Sequence, residues 1–175
     1  MNTLFLLRHA KSSRDETVVD DHDRQLSTRG LQAAEDLAQH LRKTSFHATL
    51  VLCSTANRAR QTFALIEPAI TYDDLLLEKE LYLCSTEQFI SRLRMLNNNI
   101  GSALVIAHNP TLEYSANYLI NPTKTQDKRA LRDISARYPT GALAEIQLHV
   151  GGWKEITTGC GELISFVKPR DLPLN

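Results

Sequence analysis

Two histidines that each stand directly after an apolar run are the residues best placed to do chemistry in this chain. They are His9, which follows TLFLL and Arg8, and His108, which follows SALVIA. A third apolar run, ATLVLCS, leads into a segment carrying Arg58 and Arg60. Two imidazoles beside guanidinium groups, with no acid obviously paired to them, form a cationic cluster that is costly unless an anion completes it. The planar guanidinium fork matches phosphate oxygens in bidentate fashion, so phosphate is the natural guest. Neutral imidazole is a good nucleophile; its ordinary pKa of about 6.5 leaves it mostly neutral at physiological pH, and nearby cations depress it further. One histidine can then attack phosphorus while the other histidine and the arginines stabilise charge on the moving phosphoryl group. Such chemistry calls for no metal and no cofactor.

The elements around these residues explain why they should meet. TLFLL at 3–7, ATLVLCS at 48–54 and SALVIAH at 102–108 are continuous apolar runs, the pattern of strands buried on both faces of a parallel sheet. Between the first two, Leu31, Ala34, Leu37, Ala38 and Leu41 recur at helical spacing over 26–43, with Ser27 as N-cap. TANRARQTFALIEPAI predicts a second helix, capped by Ser54 or Thr55 and closing near Pro68. Residues 86–99 read as helix and another helix starts near NPTLEYSANYLI, while 75–83 fits no single period. The polar stretch 121–139 reads as a long excursion with one short helix. ALAEIQLHV alternates as a strand, GGW turns, KEITTG and ELISFV give further strand signals, and KPRDLPLN is coil.

This alternation predicts one α/β domain over residues 1–175, an αβα sandwich with a mainly parallel sheet and one antiparallel edge strand. Ligands in such sheets bind beyond the carboxyl ends of the strands, which selects Arg8-His9, the Ser54-to-Arg58 segment and His108-Asn109-Pro110. Arg58 also lies near a helix N-terminus, where free N–H groups favour an anion. Arg58 and Arg60 sit about 200° apart on a helix, so only one of them can face the pocket; spacing alone leaves the choice open. Taken singly, a histidine after a strand is more often a hydrogen-bonded rim or core residue, and it is the joint placement of His9 and His108 that favours catalysis. His22, His40, His47 and His149 occupy contexts where a structural role prevails.

Composition narrows the classes. Twenty Lys and Arg balance twenty Asp and Glu, which leaves no general basic field for nucleic acid or anionic lipid. No apolar run approaches the roughly 18 residues of a membrane span, and MNTLFLLRHA lacks the form of a signal peptide, so a cytoplasmic protein is expected. Cys53, Cys84 and Cys160 are widely spaced and predict free thiols, and the histidine spacings match no metal motif.

LFLLRHAKSS, DHDRQLSTRG, CSTANRARQT and VIAHNP, in this order, resemble the histidine phosphatase superfamily, and within it the small SixA-type phosphohistidine phosphatases. The length, RHA in place of RHG, PTGALAEI and PRDL fit that branch. The resemblance implies the three-layer αβα phosphoglycerate mutase-like fold, His9 as the phosphorylated nucleophile, Arg8 and Arg58 as phosphate ligands and His108 as the second pocket histidine. It puts the functional arginine first in R-A-x-Q-T, which favours Arg58 over Arg60. Ala107 stands where the family often has glycine, and Gln25 replaces the proline of R-P-L-S. Mutase-type relatives protonate an alkoxide with a glutamate. Glu80 is the nearest candidate by order, with Asp15, Asp20 and Asp23 as others, although each is more often simply solvated. Imidazole leaves far more readily than an alkoxide, so a phosphohistidine substrate weakens the need for an acid.

The implied activity is therefore a metal-independent phosphohistidine phosphatase acting on a bacterial phosphotransfer protein, either a histidine phosphotransfer domain or a sugar-phosphotransferase carrier. Its rivals are a small-molecule phosphatase or mutase of the same superfamily and a catalytically silent module that binds phosphorylated partners. A mutase must retain and reorient its intermediate, which calls for a longer lid than 175 residues readily supply.

Overall fold

The apolar runs pair side by side in a six-stranded sheet. In the computed structural model, which describes residues 1–14, 17 and 20–172, the strands are β1 (Asn2–Arg8), β2 (His47–Ser54), β3 (Thr71–Glu78), β4 (Ser102–Ala107), β5 (Leu143–Leu148) and β6 (Gly161–Val167). Their order across the sheet is β3-β2-β4-β1-β5-β6. The first four run parallel, β5 is antiparallel to β1, and β6 is antiparallel to β5. One strand thus opposes the rest, as expected, but it lies inside the sheet, and the edge belongs to β6.

Five helices cover the two faces: α1 (Thr28–Lys43), α2 (Asn57–Ile66), α3 (Thr86–Arg94), α4 (Thr111–Leu119) and α5 (Lys128–Ala136). Alternate residues of each central strand serve opposite layers. Leu4, Leu6, Leu52 and Val105 pack with Phe89, Leu93, Leu112 and Ile134 of α3, α4 and α5. Leu7, Val51, Leu104 and Ile106 pack with Leu37, Leu41, Phe63 and Ile66 of α1 and α2. Both faces of the central parallel strands β1, β2 and β4 are covered by helices, the reason their sequences read as unbroken apolar runs. None of the described helices is long and apolar enough to cross a membrane.

Several boundaries depart from the sequence pattern. Ser27 caps α1 by accepting from the Gly30 N–H, as predicted, but Leu31 at the first turn is 40% exposed. The N-cap of α2 is Ala56, without a side-chain bond, because the Ser54 hydroxyl is turned to other partners. α3 stops at Arg94, short of Asn99, and the ambiguous 75–83 stretch supplies the end of edge strand β3 and a 3₁₀ turn at Lys79–Leu81. KEITTG is not a strand: Trp153–Glu155 forms a 3₁₀ turn whose fully buried indole donates to the Ile100 carbonyl at 2.7 Å. The three cysteines are free.

Candidate active site

Because β1, β2 and β4 are parallel, their carboxyl ends deliver His9, Ser54 and His108 to one edge. The His9 and His108 rings stand 4.9 Å apart between centroids, and both residues are nearly buried, at 6% and 4% exposure. Arg58, in the first turn of α2, is buried as well and donates from Nε to His9 Nε2 at 3.3 Å. Arg60, two positions on, is exposed. Arg8 donates from Nη1 to the Tyr138 carbonyl at 2.7 Å. All four residues of the predicted pocket line one cavity of about 280 Å³ with Lys11, Ser12, Arg14, Arg24, Leu83, Asn109 and Thr140.

Local contacts fix the histidines. His9 Nδ1 lies 2.7 Å from the Ala10 carbonyl, so that nitrogen carries the proton and Nε2 keeps its lone pair. The Ala10 N–H donates to Thr62, whose hydroxyl donates to the Arg58 carbonyl, tying the strand end to α2. His108 Nε2 meets the Ser54 hydroxyl at 2.8 Å. The Ser54 Oγ also accepts from the Ala56 N–H, and with the Ser54 proton assigned to His108 Nε2 the ring proton is on Nδ1. His108 Nδ1 and Arg8 Nε are buried without a partner among the described residues, an arrangement that favours an incoming acceptor. Burial, followed by the neighbouring guanidinium groups, pushes His9 down to about 4; burial, His9 and Arg58 push His108 down to about 3. Both imidazoles are neutral at physiological pH.

Contacts absent from the sequence reading complete the wall. Asp21 accepts from Arg58 Nη2 at 2.9 Å, from the Tyr82 hydroxyl at 2.7 Å and from Arg24 Nη1 at 2.8 Å, and its carbonyl accepts from Arg58 Nη1. The expectation that no acid pairs with the arginines is thus corrected. Hydrogen bonds from Arg24 and Tyr82, with the Arg58 charge, hold the Asp21 carboxyl far below the usual carboxylate range. Arg24 also donates to the Ser12 hydroxyl and the Ser13 carbonyl, stapling the loop that follows β1. That loop rests on α1: a Cβ on Gly30 would stand 2.0 Å from the Lys11 carbonyl oxygen. The Tyr138 carbonyl holds both Arg8 and Asn109, while its hydroxyl donates to the Leu6 carbonyl at 2.6 Å. Tyr138 lies in the 121–139 stretch, where only an aromatic beside a proline marks it. Asp21 belongs to the DHDRQLSTRG motif, but nothing in its spacing singles it out.

The candidate acids are not gathered here. Glu80 is exposed and lines a separate groove with Leu81, Tyr82 and Met95. Asp20 caps the Asp21–Asp23 turn, Asp23 faces His22 at 3.6 Å, and Asp15 lies outside the described residues. His22 has a structural place against Thr55 and the edge of Tyr82.

Comparison with known proteins agrees with this geometry. Residues 4–83 match the histidine phosphatase superfamily (branch 1). The uncharacterized protein MT1313 of Mycobacterium tuberculosis is 33% identical over 166 residues, 94% of this chain and 100% of the relative. A chain assigned as phosphohistidine phosphatase SixA from Nakamurella multipartitia superposes with a TM-score of 0.80 at 26% identity, over 96% of each chain. A similarly assigned SixA chain from Agrobacterium tumefaciens gives 0.76 at 26% identity, covering 96% of this chain and 98% of that one. With the paired histidines and buried arginine at the carboxyl edge of its parallel strands, the chain belongs to the histidine phosphatase superfamily.

Proposed function

We propose that the chain is a phosphohistidine phosphatase working through a covalent phosphoryl group on His9. One observation carries this reading: the cavity is lined by five basic side chains and two imidazoles, with no carboxylate among its described lining residues. Asp21, which pairs with Arg58, is held ionised and serves as an acceptor, so it brings no proton to a leaving group. Such a site suits a leaving group that needs no acid. The SixA assignment of the 26%-identical structures supports the same class.

In the first step the His9 Nε2 lone pair forms a bond to phosphorus as the phosphorus–nitrogen bond of the substrate breaks. The departing electron pair returns to the substrate imidazole, which enters protonated on its other nitrogen and leaves neutral. Arg8, Arg58 and His108 Nδ1–H donate to the equatorial oxygens as charge spreads over them. In the second step water attacks phosphorus, the electron pair returns to Nε2, and inorganic phosphate leaves; one water proton stays on the product and the other passes to solvent. Splitting the transfer replaces one difficult step with two easier ones. The substrate is a bacterial phosphotransfer protein, a histidine phosphotransfer domain or a sugar-phosphotransferase carrier, met in the cytoplasm; no metal takes part.

The test is side-by-side turnover of a phosphohistidine protein and an alkyl phosphate ester with a chelator present. The phosphohistidine protein is expected to be the better substrate by at least two orders of magnitude in kcat/KM, and Glu80→Gln to leave its turnover intact. Preference for the ester, or loss of both activities in Glu80→Gln, would defeat the proposal.

A further inference from the structure

Beside the catalytic cavity runs a second depression of about 450 Å³, which shares Lys11 and Thr140 with it. Its walls come from α1, the end of α5 and the turn after β6, and they carry five basic side chains, Lys11, Arg29, Arg137, Lys168 and Arg170, against one carboxylate, Asp133. Lys168 is buried and neutralised in place by Asp133 and Asp171. The other four are exposed. Lys11, Arg29 and Arg137 have no ion-pair partner among the described residues, and Arg170 reaches Asp171 only at 3.8 Å while its side chain stays 74% exposed.

The chain has no net charge to spread over its surface, so this unpaired cluster is a local arrangement. Cations gathered in one groove repel each other, and a partner of opposite charge relieves that repulsion and steers encounter. The groove is continuous with the phosphate pocket through Lys11. Anything carrying a phosphoryl group to His9 with its bulk outside has this groove as a neighbour. We propose that the groove docks an acidic face of the phosphohistidine protein, placing carboxylates on Arg29, Arg137 and Arg170 while the phosphorylated ring enters the pocket. This inference rests on the reading of the site as acting on phosphohistidine. It adds the charge of the substrate's flank and the direction in which that flank lies.

Two phosphohistidine peptides of matched length, flanked by glutamates or by lysines, provide the test, with phosphoimidazole as a substrate too small to reach the groove. The wild-type enzyme should favour the glutamate peptide about tenfold in kcat/KM at low salt. Arg29→Glu with Arg170→Glu should reduce that preference to twofold or less and leave phosphoimidazole turnover unchanged, which also shows the variant is folded; the paired Gln substitutions should fall between. Equal turnover of both peptides by the wild type, or an undiminished preference in the variant, would overturn the proposal. So would competition by a small bisphosphate ester but not by the dephosphorylated glutamate peptide, since the groove would then serve a second phosphate. If no phosphoimidazole or peptide is turned over, it is the phosphatase reading that fails. The groove is then tested by binding of the unphosphorylated glutamate peptide: about tenfold weaker binding to the double Glu variant supports docking, and unchanged binding refutes it.

Discussion

At the carboxyl ends of β1 and β4, His9 and His108 are buried among guanidinium groups, whereas at the opposite end of the same sheet His47 and His149 stand exposed beside carboxylates. His47 Nε2 lies 4.0 Å from Asp73, and His149 Nε2 lies 3.3 Å from Glu162. Residue type and nearness to a strand are common to both pairs; the end of the sheet, the burial and the sign of the neighbouring charge differ. Burial among cations keeps the His9 and His108 imidazoles neutral, each with a lone pair. Chemistry belongs to the end where parallel strands finish together and several elements can each contribute one donor.

The sharpest way to break the contrast is to remove one histidine from each end. His9→Ala is expected to lower phosphohistidine turnover by at least a thousandfold, and His149→Ala to change it less than twofold, both read by phosphate release. Next in size is the arginine pair on α2: Arg58→Ala should cost about a hundredfold or more in kcat, the scale of losing a charged donor to the transition state, while Arg60→Ala has little effect. Ser54→Ala removes the hydroxyl that orients His108 and should cost roughly tenfold, with Ser54→Thr recovering part of the loss.

The smallest effect is in protonation. With His9 at about 4 and His108 at about 3 in the folded state, neither ring signal should titrate between pH 8 and 5.5 by NMR. Both folded values lie below the unfolded value near 6.5, so the unfolded chain takes up protons first. Stability is lost as pH falls from about 6.5 toward 3, and the His9→Ala, His108→Ala double variant should lose less of it in urea unfolding. A midpoint near 6.5 for either ring would remove the electrostatic half of the comparison.

The central strands and α1 were legible because burial on both faces leaves a continuous apolar run, and burial on one side leaves a helical period. β3 was not, since this edge strand exposes Leu76 and Leu77 and so carries no burial pattern. KEITTG misled because its β-branched residues join no ladder: Lys154 and Glu155 belong to the turn of the buried Trp153, Ile156 packs into the core, and Thr157 and Thr158 are exposed. In the site, the strand-end residues followed from the topology of a parallel sheet. Asp21, Tyr82 and Tyr138 did not, because they arrive from separate turns whose position depends on tertiary packing. Tyr138 shows this most clearly: it anchors Arg8 from 130 residues away.

Incubation with a phosphohistidine protein labelled on its phosphoryl group, followed by rapid quench, tests the central claim most directly. An acid-labile, alkali-stable label should appear on His9 of the wild type, disappear in His9→Ala, and persist in His149→Ala. No label on the wild type, or equal label on His9→Ala, would contradict the account.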